Sequence, residues 1–405
     1  MRLLIYTLNF APELTGIGKY SGEMASWLAT RGHEVRVVTA PPYYPKWEVS
    51  PGYSGSSYKR EEWQGVQVQR CPLWVPKRVT GIKRLIHLAS FAASSLPVLL
   101  AQVRWRPDVV WVVEPALFCT PGALLAAKLC GARTWLHVQD FEVDAAFEMG
   151  LLKSRGLRSA VSGFERWLMR RFDRVSTISR QMLKRLLDKG VNPDRTVSFP
   201  NWVDITGIAP LANVSPYRSE LNIPPGSIVA LYSGNMGAKQ GLEVLASAAH
   251  KLRQESGIVF VFCGDGAAKA DLQGQCGGLT NVRMLPLQPL DRLNELLGLA
   301  DIHLLPQRAD AADLVLPSKL TGILASGRAV LVTAAPGTEL AQVVESSGCG
   351  MVVPPEDPDR LAAAVMQLAS DARVRASMGA AGRTYAEREL DVHTILERFE
   401  GALRG

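Results

Sequence analysis

Short, continuously apolar runs of three to five residues alternate with longer amphipathic stretches almost from one end of this chain to the other. In the first half the runs are Leu3–Thr7, Val35–Thr39, Val109–Val113, Thr134–Val138, Val175–Ile178 and Val197–Phe199. In the second half they are Ile228–Tyr232, Val259–Cys263, Val282–Leu285, Ile302–Leu305, Val330–Thr333 and Met351–Val353. A strand apolar on both sides needs cover on both faces, and an intervening helix supplies it, so the pattern predicts parallel sheets sandwiched by helices. In Lys19–Thr30 the residues Tyr20, Met24, Trp27 and Leu28 share one helical face, and Gly32 follows as a stop. The 405 residues suffice for two domains. Asp204–Ser219, with two prolines and weak periodicity, reads as the linker, which sets the expected domains at 1–203 and 204–405. Beyond Asp357 the sequence turns helical.

Composition narrows the chemistry. With 47% hydrophobic and 20% charged residues the chain can bury sizeable cores. Its six cysteines lie far apart without a CxxC pair, which argues against a disulfide framework or a zinc site. The start, MRLLIYTLNF, reads as a strand rather than a targeting segment, so the expected compartment is the reducing cytosol. Residues 1–200 hold 28 Lys and Arg against 16 Asp and Glu, whereas the remainder holds 17 against 22. A basic first half suits an anionic surface, nucleic acid or membrane; it equally suits a solvated basic face with no partner.

Four turns follow strands and precede helices, where open α/β sheets bind ligands. Pro12–Tyr20 contains Gly16, Gly18 and Lys19, and Ser233–Gly241 contains Gly234, Asn235, Gly237, Lys239 and Gly241. Cys263–Gly266 contains Gly264 and Gly266, and Leu316–Leu320 contains Pro317, Ser318 and Lys319. Glycines permit close backbone approach, and helix starts with a lysine attract phosphate. The bland alternative at each is a tight strand-to-helix turn, although two glycine turns on successive strands favour a nucleotide. Leu136–Asp140 sets His137 and Asp140 near a strand's carboxyl end. No His, Cys and Asp cluster has metal-ligand spacing, and no nucleophile-elbow pattern occurs. No metal is therefore expected.

With these residues in place the chain resembles the retaining GT-B glycosyltransferases of family 4, and within them the bacterial exopolysaccharide enzymes of the colanic acid type. The resemblance spans nearly the whole length. It is carried by PELTGIGKYSGEMASWLATRGHEVRVVTAPPYYP at 12–45, LHVQDFEVDA at 136–145, STISRQM at 176–182, FPNWVD at 199–204, YSGNMGAKQGLE at 232–243 and LPSKLTGILASG at 316–327. It implies two Rossmann-like domains facing across a cleft, with C-terminal helices from about residue 376 packing back on the first domain. The donor nucleotide would lodge in the second domain, surrounded by Gly234, Asn235, Lys239, Gly264, Gly266, Ser318 and Lys319. Gly16, Gly18 and Lys19 would meet the diphosphate or acceptor from the first. His137 matches the family's histidine near the transferred sugar, and Asp140 its acidic neighbour.

Two departures stand out. The family's pair of glutamates falls on Leu314 and Gly322, leaving Asp313 as the candidate ribose contact. The usual Arg/Lys pair on the phosphates falls on Asn235 and Gln240, leaving Lys239 as the nearest cation. The resemblance implies transfer with retention from a nucleotide sugar. A GDP-sugar is first, GDP-fucose among them, then UDP-sugars, and the acceptor is a saccharide on a polyprenyl diphosphate. No cofactor and no nucleic-acid partner are expected. Rival readings are a nucleotide-sugar epimerase or a pyridoxal-phosphate phosphorylase of the same architecture, and a non-catalytic nucleotide-binding protein.

One further segment bears on location. Ile82–Val103 is an apolar run flanked by Lys77, Arg78, Lys83 and Arg84 on one side and Arg104 and Arg106 on the other. Pro97 interrupts it, and its low-charge part reads as too short to span a bilayer, which takes about 20 apolar residues. It suits an interfacial helix on the inner face of the cytoplasmic membrane, with the flanking cations on anionic headgroups; it also suits a buried core helix.

Overall fold

The computed structural model describes residues 1–14, 16–77, 81–114, 117–141, 155–237, 240–309 and 316–405. The chain divides into two compact units. The first comprises Met1–Pro200 with Leu396–Gly405, the second Asn201–Ile395. The expected boundary at 203/204 thus moves to 200/201, and the segment read as a linker belongs to the second unit. There Arg383, on helix Ala372–Glu389, donates from Nη2 to the Ile205 carbonyl at 2.9 Å and from Nη1 to that of Ile208 at 2.8 Å. Of the C-terminal stretch, only Leu396–Gly405 joins the first unit.

The first unit is built on an eight-stranded sheet. Its strands are β1 (Arg2–Tyr6), β2 (Glu34–Thr39), β3 (Lys59–Trp63), β4 (Val66–Arg70), β5 (Val109–Glu114), β6 (Arg133–Val138), β7 (Arg174–Thr177) and β8 (Thr196–Ser198). Their spatial order is β3-β4-β2-β1-β5-β6-β7-β8, and every pairing is parallel except β3 with β4. The second unit has β9 (Ile228–Asn235), β10 (Ile258–Asp265), β11 (Val282–Leu285), β12 (Ile302–Leu305), β13 (Ala329–Thr333) and β14 (Gly350–Val353). They form an all-parallel sheet ordered β11-β10-β9-β12-β13-β14. All twelve expected strands are present. Central β5 is buried at every position, the reason its sequence shows no polar alternation.

The β3–β4 hairpin was not expected. Gln64 and Gly65, both with positive φ (45° and 80°), close its two-residue turn, and Val66 and Val68 face inward while Gln67 faces solvent. Strands β9 and β10 also run further than their apolar runs, because the ladder continues through Gly234 opposite Gly264 and Asn235 opposite Asp265.

The part of helix Val392–Arg404 that belongs to the first unit, from Leu396 on, packs on the aromatic side chains of its sheet. Phe399 stacks on Phe199 with ring centroids 4.4 Å apart and meets Trp111 edge-on at 4.8 Å and Trp135 at 5.2 Å. Buried Glu400 accepts from His33 Nε2 at 3.0 Å and from Arg31 Nε at 3.3 Å, which ties that helix to the end of helix Gly16–Thr30.

Candidate active site

In each sheet the chain reverses its direction of strand addition once, and the crevice that opens there is where such folds take ligands. In the second unit the reversal lies between β9 and β12. Lys319, first residue of helix Lys319–Ala325, reaches across this point. Its Nζ donates to Tyr232 Oη at 2.6 Å and to the Asn235 carbonyl at 3.2 Å, and sits 4.3 Å from the Tyr232 ring centroid. The lysine stem occupies the space a side chain at Gly234 would need: a methyl there would lie 2.5 Å from Cε and 3.1 Å from Cδ. Gly234 also holds φ at +124°. Burial drives the Lys319 pKa down from 10.5 to about 7. Its hydrogen-bond partners here are a phenol and a carbonyl, neither of which carries the charge an ammonium calls for. An arriving diphosphate would supply it.

The neighbouring glycines answer to the protein's own packing. A methyl on Gly264 would overlap the Gly234 carbonyl oxygen, and one on Gly266 would lie 2.5 Å from the Met236 carbonyl oxygen. The turns after β9 and β10 are stapled together, Met236 N–H donating to the Asp265 carbonyl and Ala268 N–H to that of Met236, both at 2.8 Å. At Gly264 and Gly266 the neighbouring turn leaves no room for a side chain. Asn235 contributes its carbonyl to Lys319, and Ser318 is exposed just before the helix. Gly322 sits inside that helix against Leu297, where a methyl would lie 3.3 Å from Cδ1. Lys239, Asp313 and Leu314 lie outside the described residues.

Two side chains beside this site escaped the sequence reading. Tyr232 is buried in mid-strand and holds Lys319. Arg308, in the segment after β12, lies against Gly241 and pairs with Glu243 at 3.0 Å. Only contacts between residues distant in sequence could have revealed either.

In the first unit the reversal falls between β1 and β5. Gly16 opens helix Gly16–Thr30 with φ +58° and open space around its Cα. Gly18 is required by Glu13, whose Cβ would lie 2.6 Å from a methyl there. Glu13 in turn accepts the Tyr43 and Tyr44 amides, each at 3.0 Å. Lys19 lies 3.9 Å from Glu23 on its own helix.

His137 sits inside the first unit rather than at its surface. Its ring is 3% exposed and packs between Trp111 and Phe199, with centroids 5.2 and 5.1 Å away. Nδ1 lies 2.9 Å from Ser176 Oγ and Nε2 lies 2.9 Å from Gln139 Nε2. Desolvation drives its pKa to about 3. So enclosed, the ring stays neutral near pH 7. The partly exposed residues at this strand end are Gln139 and Asp140. Among the described residues no group of three or more His, Cys, Asp or Glu side chains could hold a metal ion.

Helix Gly81–Ala101 runs through Pro97 and continues as a short 3-10 turn to Trp105. Its most apolar 18 residues reach a mean hydropathy of 1.5, enough by length and composition alone to cross a membrane. One side is nonetheless built into the first unit. His87, Leu88, Phe91, Ser95 and Leu99 are buried, and Ser95 Oγ meets Tyr6 Oη at 2.5 Å. The other side leaves Ile82 74% exposed, together with exposed Leu85 and Ile86. Lys77, Lys83, Arg104 and Arg106 are exposed and Arg84 partly so, while Arg78 lies outside the described residues.

Comparison with known proteins fits this geometry. Residues 15–202 match the family described as Glycosyl transferase 4-like domain, and residues 214–385 match Glycosyl transferases group 1. The chain is 47% identical over 413 residues to the Escherichia coli (strain K12) protein named WcaI, a colanic acid biosynthesis glycosyl transferase by its name; the match covers 100% of both. Among solved structures, sucrose-phosphate synthase from Thermosynechococcus elongatus superposes with a TM-score of 0.78 at 15% identity, covering 100% of this chain and 98% of that one. Anabaena HepE, solved in complex with UDP, gives 0.71 at 14% identity and full coverage of both chains. At such identities the two structures speak for the fold alone.

Proposed function

Since this chain belongs to the glycosyltransferases, a family 4-like domain followed by a group 1 domain, we propose that it moves a sugar from a nucleoside diphosphate sugar to a lipid-linked saccharide. The observation that carries the donor half is Lys319, a cation held at the β9/β12 crevice by neutral partners. As the sugar–oxygen bond breaks, negative charge gathers on the departing diphosphate. A fixed ammonium stabilises that charge with no reorganisation at the moment of reaction. The HepE neighbour's UDP and the WcaI relative's name support a nucleotide sugar and an exopolysaccharide product. In our reading the transfer retains configuration and needs no metal. A GDP-sugar is the first candidate, GDP-fucose among them, and a UDP-sugar the second.

The acceptor half draws on the exposed side of helix Gly81–Ala101. Helix Thr120–Cys130 packs on it, Gly122 against Leu96 and Leu99, and adds exposed Leu125 and Leu129. With Lys83, Arg84, Arg104 and Arg106 around them, these side chains suit an enzyme that rests on an anionic membrane and draws its acceptor from it. Thermal-shift measurement against GDP-, UDP- and dTDP-sugars tests the donor half. One nucleotide series should raise the melting temperature of the wild type and leave Lys319→Ala nearly unmoved; equal shifts in both proteins would remove Lys319 from the site.

A further inference from the structure

His87 lies on the buried side of helix Gly81–Ala101 and is 1% exposed. Its Nδ1 lies 2.7 Å from the Trp74 carbonyl oxygen. A carbonyl only accepts, so Nδ1 carries the proton, and the lone pair of the neutral ring is on Nε2. Burial lowers the ring's pKa against the pull of that carbonyl, and the Arg84 charge lowers it further. Among the described residues no donor reaches Nε2, although the atom is buried. Buried polar atoms are almost always partnered, because a lone pair without a donor has lost its water and gained nothing in return.

Three rings meet here. The Trp47 and Tyr43 rings lie 5.2 and 4.9 Å from that of His87 and 5.5 Å from each other. Tyr43 is buried, whereas Trp47 is only partly so, and Tyr44, Pro45, Lys46 and Glu48 around it are exposed. Trp47 holds φ at +55°, a left-handed conformation that a bulky residue adopts only under constraint. Its turn is closed by two backbone bonds, Glu48 N–H to the Tyr43 carbonyl at 3.3 Å and Ser50 N–H to that of Pro42 at 2.8 Å. The cover on His87 is thus a strained residue on an exposed turn.

The surroundings relate this place to an acceptor. In the loop after β1, Glu13 accepts the Tyr43 and Tyr44 amides and packs against Gly18, beside the first sheet's switch point. On the helix that carries His87, Ile82, Leu85 and Ile86 just before it are exposed. A saccharide carried on a lipid would reach the switch point past these side chains.

We propose that His87 is an acceptor-binding residue: when the turn at 44–48 lifts Trp47, Nε2 accepts a hydrogen bond from a hydroxyl of the saccharide acceptor, and the uncovered aromatic rings pack on the sugar. A lone pair suits a hydroxyl, which donates, and repels a phosphate, which only accepts. The proposal rests on the acceptor half of the function proposed above.

Nucleotide release tests the contact, followed with the nucleotide sugar the wild type consumes best and graded amounts of a membrane extract bearing lipid-linked saccharides. His87→Asn keeps an amide N–H where Nδ1 meets Trp74 and removes Nε2. His87→Gln sets an amide oxygen near the place of Nε2 and gives up the Trp74 contact. His87→Asn should raise the half-saturating amount of extract about fivefold, the value of one neutral hydrogen bond, at nearly unchanged melting temperature. His87→Gln should stay nearer the wild type in that amount even where it melts lower. Wild-type half-saturation in His87→Asn, or a greater loss in His87→Gln, would overturn the proposal and leave Nε2 to a buried water. If His87→Asn instead raises the half-saturating concentration of the nucleotide sugar, the hydroxyl belongs to the donor and the acceptor assignment is overturned. If the extract does not accelerate the wild type, the acceptor half of the function falls, and the role of His87 with it. Diethyl pyrocarbonate, which labels an accessible imidazole nitrogen, tests the opening. Trp47→Gly, which removes the cover and suits the left-handed backbone, should let it label His87 several-fold faster than in the wild type; equal rates would overturn the opening step.

Discussion

The pKa of Lys319 makes nucleotide-sugar binding a proton-linked event of calculable size. In the free protein burial holds the ammonium at about 7, so near neutrality about half the molecules carry a neutral amine there. A diphosphate beside it favours the charged form and drives the pKa back up toward the ordinary lysine value of 10.5. Binding must then take up a proton: about half a proton per site at pH 7 and about 0.9 at pH 8. The same linkage weakens affinity about 50-fold between roughly pH 7 and pH 9, or about 2.3 kcal/mol. A nucleoside diphosphate sugar is the right ligand, since its diphosphate bears no group that titrates in this window. Calorimetry in buffers of different ionisation enthalpy reads the proton count directly, and Lys319→Met supplies the control. That variant should bind roughly tenfold or more weakly at pH 7, having lost a charged hydrogen bond, and should show no pH slope above it. A wild-type dissociation constant flat within twofold over this range, with no proton uptake, would refute the reasoning.

Gly264→Ala drives a methyl into the Gly234 carbonyl at a left-handed φ, so it should cost at least about 2 kcal/mol of stability; an unchanged thermal melt would contradict the packing described. Activity should persist in EDTA, with Lys319 in the place of a divalent cation. Complete loss in chelator, restored by magnesium or manganese, would assign that charge to a metal. Wild-type protein should sediment with anionic vesicles at low salt and less at high salt, each exposed cation near the surface adding about 1 kcal/mol. Ile82→Asp with Leu85→Asp should release it; equal recovery in the supernatant with anionic and neutral vesicles would leave the basic half some other purpose.

What the sequence disclosed follows from how far apart the interacting residues lie. The twelve expected strands could be found because each is an apolar run of its own, whatever it pairs with. The β3–β4 hairpin was overlooked because Lys59–Trp63 is a polar edge strand. Its signal was local all the same, a Gln64–Gly65 turn ahead of alternating Val66 and Val68. Lys319 stood out as a cation beside Pro317, but its partners Tyr232 and Asn235 come from another strand, and no periodicity links them. Gly234, Gly264 and Gly266 were conspicuous as glycines, yet what fills the space beside each is decided by the fold. The burial of His137 was hidden for the same reason. Its position near a strand end was legible, whereas its enclosure by Trp111 and Phe199, on the face sealed by Phe399, is not written near it. The apolar run at 82–103 could be read either as an interfacial helix or as a core helix, and the structure shows one side buried in the unit and one exposed.

The central claim, that this transferase takes its sugar from a nucleoside diphosphate donor, is tested most directly by following nucleotide release. Purified protein is incubated with GDP-, UDP- and dTDP-sugars in turn, with and without a membrane extract bearing lipid-linked saccharides, and free nucleoside diphosphate is measured. The account predicts release from one nucleotide series, accelerated by the extract and reduced at least tenfold in Lys319→Ala at pH 7. No release from any of these donors under either condition, or release unaffected by Lys319→Ala, would contradict it.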